Sequence, residues 1–365
     1  MDNLQSYFLY YLLIISTSII VQFSQLINKT IYKKFSLFIF WSALLFPFLI
    51  SANRYGIGTD YFDYVALFHE LEGYGNIFDA IKEGSYEPGW IILNFIVKMV
   101  FDNYKYVFVL SSFLTLFFLF KAIYSYRDRL YVGIGIFIFM STLYNSSFNI
   151  TRQILAASIL LYAVKYIEEK KILKYALLTL FAASFHYSAL IFLPIYWVLV
   201  SSRNNNWNLL KKIIFSIVTI FIIVLFDFVF GFITSIEFFS KYSSYQLNVG
   251  KTDFNNLIIN LPIMIIILMN LKTIKLRNKF IYDLITLYFI GIVLSFLGYF
   301  NNYIGRATIY FSMSQILIIP FIIKVQTNKY IKLFYMGLIV LYYIILFTYN
   351  IIIQNGHETI PYIWR

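Results

Sequence analysis

The chain has 365 residues, of which 61% are hydrophobic and 13% are charged, and its mean hydropathy is +0.75. Soluble domains carry about 25% charged residues, so this composition excludes a soluble globular protein and predicts a polytopic membrane protein in a lipid bilayer. The net charge of +12 does not indicate nucleic acid binding, because the basic residues lie in short stretches between apolar runs rather than on one basic face.

The basic residues predict how the chain is oriented in the membrane. Basic residues cluster on the cytoplasmic side of membrane proteins, so we expect the basic stretches to form cytoplasmic loops. Twenty of the 29 Lys and Arg residues lie in six stretches, at 25–35, 121–130, 165–174, 203–212, 272–279 and 324–332. Arg54, Arg152 and Arg306 lie outside these stretches, at helix ends on the predicted outer side.

Ten apolar segments are candidate membrane helices, which need roughly 20 residues each. The first has no positively charged segment before it and no cleavage site after it, so we expect a retained helix rather than a signal peptide. The segments cover residues 6–24, 35–52, 106–124, 131–145, 150–167, 213–233, 257–271, 280–299, 307–323 and 331–352.

Two further apolar segments do not fit a simple crossing. Residues 88–101 are short, and a crossing there would place the next basic stretch outside, so we expect a re-entrant or interfacial helix on the outer face. Residues 175–200 are too long for one span, and the flanking lysines favour two short legs with His186 at the outer apex. The prediction is a single all-α domain over 1–365, with about twelve crossings, both termini outside and a long outer loop at 52–89.

That outer loop begins with the sequence RYGIGTDY over residues 54–61. Its two glycines allow a tight turn, and Thr59 or Asp60 is suited to cap a helix that carries Tyr61. The functional alternative is that Asp60 faces the membrane surface as a general base.

The sequence EPGW at the end of the same loop opens the short outer helix. An acidic residue before a proline at the first helical position is an ordinary helix start, which is one interpretation of Glu87. Glu87 is also a candidate second acid or acceptor-sugar ligand on the side of Asp60. Trp90 could stack on a sugar ring, although an interfacial tryptophan is the commoner explanation.

Three more residues are candidates because charge or polarity interrupts an apolar setting. Arg152 lies in the first turn of a helix with small residues, which favours a functional role over snorkelling to the headgroups. His186 is either a packing residue or part of a site at the apex of a broken helix pair. Arg306 follows an outer turn that contains a glycine and two asparagines.

Arginines that converge from separate helices would suit a diphosphate, because each planar guanidinium can grip phosphate oxygens with several donors. A metal site is not expected, since the three histidines do not cluster in sequence. The absence of cysteine excludes disulfides, thiolate metal sites and cysteine nucleophiles.

The order of these motifs resembles the EpsG-like group of Wzy-type polysaccharide polymerases. RxGxGTDY, EPGW, a helix that opens with RQxLA, FHYSAL, an arginine before a late helix and a terminal IPY follow one another from Arg54 to Tyr362. The resemblance implies a GT-C-like helical fold in a bacterial cytoplasmic membrane. It also implies a glycosyltransferase that acts at the extracytoplasmic face without a metal or another cofactor.

The substrate that the resemblance implies is an oligosaccharide linked to undecaprenyl diphosphate, and a chain-length regulator protein is a candidate partner. The glycan would be transferred to a hydroxyl of the next lipid-linked repeat unit. In this hypothesis Arg152 and Arg306, supported by Arg54, bind the donor diphosphate. Asp60 or else His186 takes the proton from the acceptor hydroxyl.

The remaining residues and the rival functions complete the hypothesis. Glu87 would orient the acceptor sugar, with Tyr61 and Trp90 in contact with substrate.

A flippase or transporter of the same lipid-linked sugars is the main alternative, although such a protein would distribute polar residues through the membrane depth. A ligase or another polyprenyl-linked glycosyltransferase is a closer alternative, and a polytopic acyltransferase would need its histidine near the cytoplasmic side.

Overall fold

The structure is a computed structural model that describes residues 1–27, 32–84, 86–204, 218, 255–298 and 302–364. Within these residues the regular secondary structure is helical. The α-helices are α1 Asn3–Ile27, α2 Lys33–Ser42, α3 Leu45–Ala52, α4 Tyr61–Glu70, α5 Ile77–Glu83, α6 Pro88–Phe101, α7 Lys105–Ser125, α8 Val132–Thr142, α9 Thr151–Glu168, α10 Ile172–Phe185, α11 Ile195–Asn204, α12 Asn255–Arg277, α13 Lys279–Leu297, α14 Asn302–Ser312, α15 Gln315–Val325 and α16 Lys329–Phe347.

The predicted class, an all-α polytopic membrane protein, is confirmed. In the described part of the chain, seven helical segments are long and apolar enough to cross a membrane: Asn3–Ile27, Lys33–Ala52, Lys105–Ser125, Ile258–Arg277, Lys279–Leu297, Gly305–Val325 and Lys329–Ile353. Four shorter apolar segments accompany them: Pro88–Phe101, Val132–Thr142, Ile172–Phe185 and Tyr187–Val200. The predicted span 213–233 lies outside the described residues except for Val218.

The short helix predicted at 88–101 and the break predicted at His186 are both present. The short helix α6 begins at Pro88, whose fixed φ suits a first helical position, and is followed by Asp102 in the left-handed conformation. Residues 175–200 break at His186, which has extended backbone (φ −158°, ψ 111°) between α10 and a 3₁₀ helix at Tyr187–Phe192.

Helix α9 lies inside the bundle and places Arg152 at the site. It packs between α7 and α10, and its small residues Ala156, Ala157 and Ser158 are buried. Small side chains let neighbouring helices approach closely where no solvent separates them. The predicted interior position of this helix is therefore confirmed.

The two termini of helix α1 mark two ends of the bundle. They lie about 37 Å apart, because the helix has 25 residues. Near its C-terminal end, Gln25 donates to the carbonyl of Leu130 at 2.7 Å. Lys324 donates to the carbonyl of Asp128 at 2.8 Å in the same region. The basic stretches 121–130 and 324–332 therefore meet at one end, which we call the basic end.

The N-terminal end of α1 meets the C-terminal residues and the outer loop. The Met1 ammonium donates to the carbonyl of Tyr362 at 3.3 Å, and the Tyr55 amide donates to the carbonyl of Ile363 at 3.0 Å. An isolated antiparallel bridge joins Arg54 to Trp364. We call this the site end, because the candidate residues described next gather there.

Candidate functional site

The carboxylate of Glu87 joins three separate elements. Glu87 directly precedes α6, and one of its oxygens forms an ion pair with the Arg152 guanidinium in the first turn of α9. Its other oxygen accepts a hydrogen bond of 2.9 Å from Nδ1 of His186, at the break after α10. The Arg152 guanidinium also lies 4.6 Å from the ring centroid of Tyr86. We call Glu87, Arg152 and His186 the central cluster.

Glu87 is ionised in this setting. Its side chain is buried, with 5% of the residue exposed, and burial acts to raise the pKa of the carboxyl. The charge of Arg152 and the hydrogen bond from His186 outweigh burial, so the pKa of Glu87 is lowered to about 2. Since Glu87 makes no side-chain capping bond to α6, its carboxylate serves the cluster rather than the helix start.

A close helix contact sets the distance between Glu87 and His186. Gly89 in α6 packs against Ser184 in α10, and a Cβ at Gly89 would lie 2.3 Å from the Ser184 hydroxyl and 2.7 Å from its carbonyl. These two residues are each two positions from a member of the central cluster. Glycine at position 89 therefore lets α6 approach α10 closely enough for the carboxylate to meet the imidazole.

Asp60 lies in a tight turn at the same end of the bundle. It occupies the N-cap position of α4 but makes no side-chain capping bond. The side-chain oxygen of Asn149 instead accepts from the Asp60 amide at 3.0 Å and from the Thr59 hydroxyl. Gly58 allows the turn because it has φ +94° and packs against the carbonyl of Phe148, where a Cβ would lie 2.6 Å away.

The charge state of Asp60 depends on burial and on two arginines. Partial burial raises the pKa of Asp60 above its ordinary value, and nearby Asp63 raises it further. The positive charges of Arg152 and Arg306 act in the opposite direction. The Asp60 carboxylate is therefore within electrostatic range of both arginines that were predicted to bind a diphosphate.

Arg306 lies in α14, at the edge of this group. Its side chain is exposed, and its carbonyl accepts a hydrogen bond of 2.8 Å from the side-chain amide of Gln153. Gln153 directly follows Arg152 in α9. The structure thus places Asp60, Glu87, Arg152, His186 and Arg306 at one end of the bundle.

Arg54 has a different environment. It is 3% exposed, its guanidinium lies 4.6 Å from the ring centroid of Phe108 and 5.0 Å from that of Phe148, and it donates to the carbonyl of Ser51. Burial lowers the pKa of Arg54 to about 10, although nearby tyrosines act to raise it. Arg54 also lines a polar cavity of about 320 Å³ beside Lys105. Its guanidinium also donates to the hydroxyl of Thr151, next to Arg152, at 3.4 Å, so Arg54 borders the central cluster but is held mainly by aromatic rings and a backbone carbonyl.

The two aromatic residues predicted to contact substrate are inside the core. Tyr61 is 1% exposed and stacks on Phe108 with ring centroids 4.5 Å apart. Trp90 has no exposed surface and packs against Tyr64 at 5.1 Å between ring centroids. Because both rings are buried, neither presents a face on which a sugar could stack in this structure. The sequence alone did not show which aromatic residues of the loop turn inward.

Two further polar residues belong to the site, and sequence reasoning did not single them out. The Tyr64 hydroxyl donates to the Asn149 carbonyl at 3.2 Å and also contacts Arg152. Tyr64 lies four positions after Asp60, so helical periodicity could have placed it on the same face. Asn149 stands three residues before Arg152, but a turn asparagine carries no specific signal in one sequence.

The fold and the site together define a polytopic all-α membrane protein with two acids, two arginines and a histidine gathered at one end of its helix bundle. The chain belongs to the EpsG family, which it matches over residues 37–364. The family match indicates a function of the polysaccharide polymerase type. No curated protein and no solved structure matches the chain.

Proposed function

We propose that the protein is a Wzy-type polymerase of lipid-linked oligosaccharide repeat units. It takes the growing glycan from undecaprenyl diphosphate and transfers it to a hydroxyl of the next lipid-linked repeat unit. The reaction takes place in the bacterial cytoplasmic membrane, at the extracytoplasmic face. Membership of the EpsG family supports the class of reaction.

The observation that carries this proposal is the convergence of acids and arginines from four distant segments. Asp60, Glu87, Arg152 and Arg306 are far apart in sequence, yet the contacts and charge interactions described above connect them at the site end. Such a group offers cationic donors for a diphosphate and a carboxylate for proton transfer. A transporter would instead need polar residues along a path between both faces.

Arg152 and Arg306 bind the donor diphosphate in this mechanism. Glu87 fixes the guanidinium of Arg152 through its ion pair, so that the arginine is oriented before substrate arrives. The bond between the anomeric carbon and the diphosphate oxygen breaks, and the diphosphate leaves on its lipid. The arginines stabilise the negative charge that develops on that leaving group.

Asp60 acts as the general base in this mechanism. Its carboxylate forms no ion pair among the described contacts and lies within range of both arginines. It takes the proton of the acceptor hydroxyl as that oxygen attacks the anomeric carbon, which gives inversion by a single displacement. His186 is the alternative base, because Glu87 occupies its Nδ1 and leaves Nε2 for proton exchange.

A polymerisation assay with purified enzyme and lipid-linked repeat units tests these roles. We expect Arg152→Lys and Arg306→Ala each to lower the rate about 100-fold or more, because each removes charge stabilisation from the leaving group. Arg129→Ala, at the basic end, is the matched control and should keep the wild-type rate. Full activity in both arginine variants at the site end would refute the diphosphate assignment.

The same assay separates the two candidate bases and the two classes of function. We expect Asp60→Asn to abolish polymerisation. If Asp60→Asn instead polymerises at the wild-type rate and His186→Ala loses polymerisation activity, His186 is the general base. Product length separates polymerase from flippase in cells. A polymerase mutant accumulates single repeat units outside the membrane, whereas a flippase mutant retains them inside.

A further inference from the structure

The side chain of Asn149 connects the C-terminal residues to the turn that carries Asp60. Its oxygen accepts from the Asp60 amide at 3.0 Å and from the Thr59 hydroxyl. Its nitrogen lies 3.2 Å from Nδ1 of His357. The Asn149 side chain therefore bridges Thr59 and His357, which lie 90 and 208 positions from it in sequence.

The direction of these hydrogen bonds follows from the donors present. A backbone amide can only donate, so the Asp60 amide must face the oxygen of Asn149. The nitrogen of Asn149 then faces His357 as a donor, and Nδ1 of His357 must accept. His357 is therefore neutral with its proton on Nε2, in agreement with burial, which lowers the pKa of this imidazole.

The backbone around His357 is held in an unusual conformation. Asn355, His357 and Glu358 have φ of 47°, 65° and 50°, in the left-handed region that residues other than glycine seldom occupy. Such positions are strained and persist only where surrounding contacts enforce them. Here the Glu358 carbonyl accepts from the Gly58 amide at 3.4 Å, in the turn that carries Asp60.

Buried contacts on the C-terminal side of His357 fix the segment against the bundle. Thr359 is fully buried, and its carbonyl accepts from the Tyr10 hydroxyl at 2.9 Å. Its hydroxyl accepts from the side-chain nitrogen of Asn145 at 3.0 Å. These anchors would hold the C-terminal segment without any contribution from His357, so they do not explain why an imidazole is directed at Asn149.

We propose that His357 and Asn149 are positioning residues for Asp60, so that the C-terminal segment forms part of the active site. The imidazole of His357 orients the amide of Asn149, and the amide oxygen fixes the Thr59–Asp60 turn. The turn that carries the Asp60 carboxylate is thereby fixed at the site end of the bundle. This inference rests on the proposed function, in which Asp60 takes the proton from the acceptor hydroxyl.

Two substitutions at position 357 separate positioning from simple packing. His357→Gly removes the imidazole and adopts φ of 65° without strain, so its effect reports the side chain alone. His357→Asn places an amide oxygen near the position of Nδ1 and tolerates the left-handed conformation. Asn355→Gly is the matched control, because it relieves the same kind of backbone conformation at an exposed residue.

In the polymerisation assay we expect His357→Gly to lower kcat roughly 10- to 100-fold with KM within about twofold, since the base is misplaced while substrate contacts remain. His357→Asn should recover most of that loss, and Asn355→Gly should match the wild type. Equal kcat in His357→Gly and the wild type, or equal loss in His357→Gly and His357→Asn, would overturn the inference.

A double variant tests whether the two residues act through one chain of contacts. If His357 acts only through Asn149, then Asn149→Ala combined with His357→Gly should be no slower than Asn149→Ala alone. Losses that multiply would show that His357 acts by another route and would overturn the inference.

A measurement on the unmodified protein covers the case in which a variant does not fold. The chain has only three histidines, so the ¹⁵N shifts of labelled imidazoles can be assigned individually. We expect the neutral tautomer with the proton on Nε2 at His357, and a proton on Nδ1 would contradict the proposed bond.

If Asp60→Asn is active, the base assignment fails, whatever the result at His357. If only Asp60→Asn is inactive and the His357 variants are normal, the positioning inference fails.

Discussion

Glu87 binds two groups at once, and so its replacement disturbs both of them. One carboxylate oxygen pairs with Arg152 and the other accepts from His186. An ionised carboxylate that is buried between such partners stabilises the fold only while it remains charged. The contribution of Glu87 to stability should therefore depend on pH.

We expect Glu87→Gln to lower the free energy of unfolding by about 3 kcal/mol at pH 7, because the folded pKa is about 2 and the ordinary value is 4.5. A lowered folded pKa stabilises the protein above pH 4.5, and this stabilisation is lost as the pH falls toward 2. The difference in Tm between the wild type and the variant should accordingly shrink from pH 7 to pH 3.5.

Thermal unfolding in detergent measures this difference, with Glu83→Gln as the control at an exposed carboxylate of the same loop. The control should change Tm little at either pH. A Tm difference for Glu87→Gln that stays constant down to pH 3.5 would argue against an ionised, ion-paired Glu87.

At the residue scale, sequence could predict polar residues that interrupt apolar surroundings but not which of them share a contact. Glu87, Arg152 and His186 were each predicted, because charge next to an apolar run is costly without a partner. Arg54 met the same criterion, yet its guanidinium is held between the rings of Phe108 and Phe148. An aromatic partner several helices away leaves no trace in the local sequence.

Two glycines control how closely the elements of the site approach. Gly89 brings α6 against Ser184 of α10, and Gly58 brings the Asp60 turn against the carbonyl of Phe148. In both places the neighbour is backbone or a short side chain that cannot move aside. A methyl group there must therefore displace the element itself.

We expect Gly89→Ala to lower polymerisation more than tenfold, because separating α6 from α10 breaks the bond between Glu87 and His186. Gly58→Ala should act similarly through Asp60, with added strain at φ +94°. Gly73→Ala and Gly337→Ala are matched controls, since a Cβ at either position meets nothing within 4 Å. Rates and Tm should be measured together, and wild-type rates in both test variants would contradict the role of these contacts.

At the element scale, sequence predicted the break at His186 and the extent of α6, because charge bias and Pro88 mark them. It did not predict the division of the second span into α2 and α3, since residues 35–52 read as one apolar run. The outer loop 52–89 also contains α4, whose start at Tyr61 was predicted but whose end was not, and α5, which was not predicted. Short helices at a polar surface lack the long apolar pattern on which such predictions depend.

The whole molecule has a basic end and a site end, and the proposed function requires them to face opposite sides of the membrane. The positive-inside rule predicts that the basic end is cytoplasmic. The relative placement of the two ends follows from contacts along the bundle. Charge predicts an orientation in the bilayer, whereas the meeting of the C-terminal residues with the outer loop could not be predicted, because it joins positions about 300 residues apart.

Labelling of single introduced cysteines tests this orientation, and the chain contains no native cysteine that would need removal. A membrane-impermeant maleimide should label Phe78→Cys and Asn355→Cys in intact cells, because both positions are exposed near the site end. Asp128→Cys and Asn328→Cys, exposed at the basic end, should react only after permeabilisation. The reverse pattern would place the site in the cytosol and exclude the proposed reaction.

The 14 residues of α10 rise about 21 Å, which is well short of a hydrocarbon core of about 30 Å. Hydrophobic mismatch of this size is relieved by thinning of the surrounding leaflet or by a hydrated crevice above the helix end. Either response lowers the level of the lipid headgroups toward His186 and Arg152. In the proposed mechanism, a diphosphate carried by a lipid would thus reach the arginines by lateral diffusion, without being lifted out of its own leaflet.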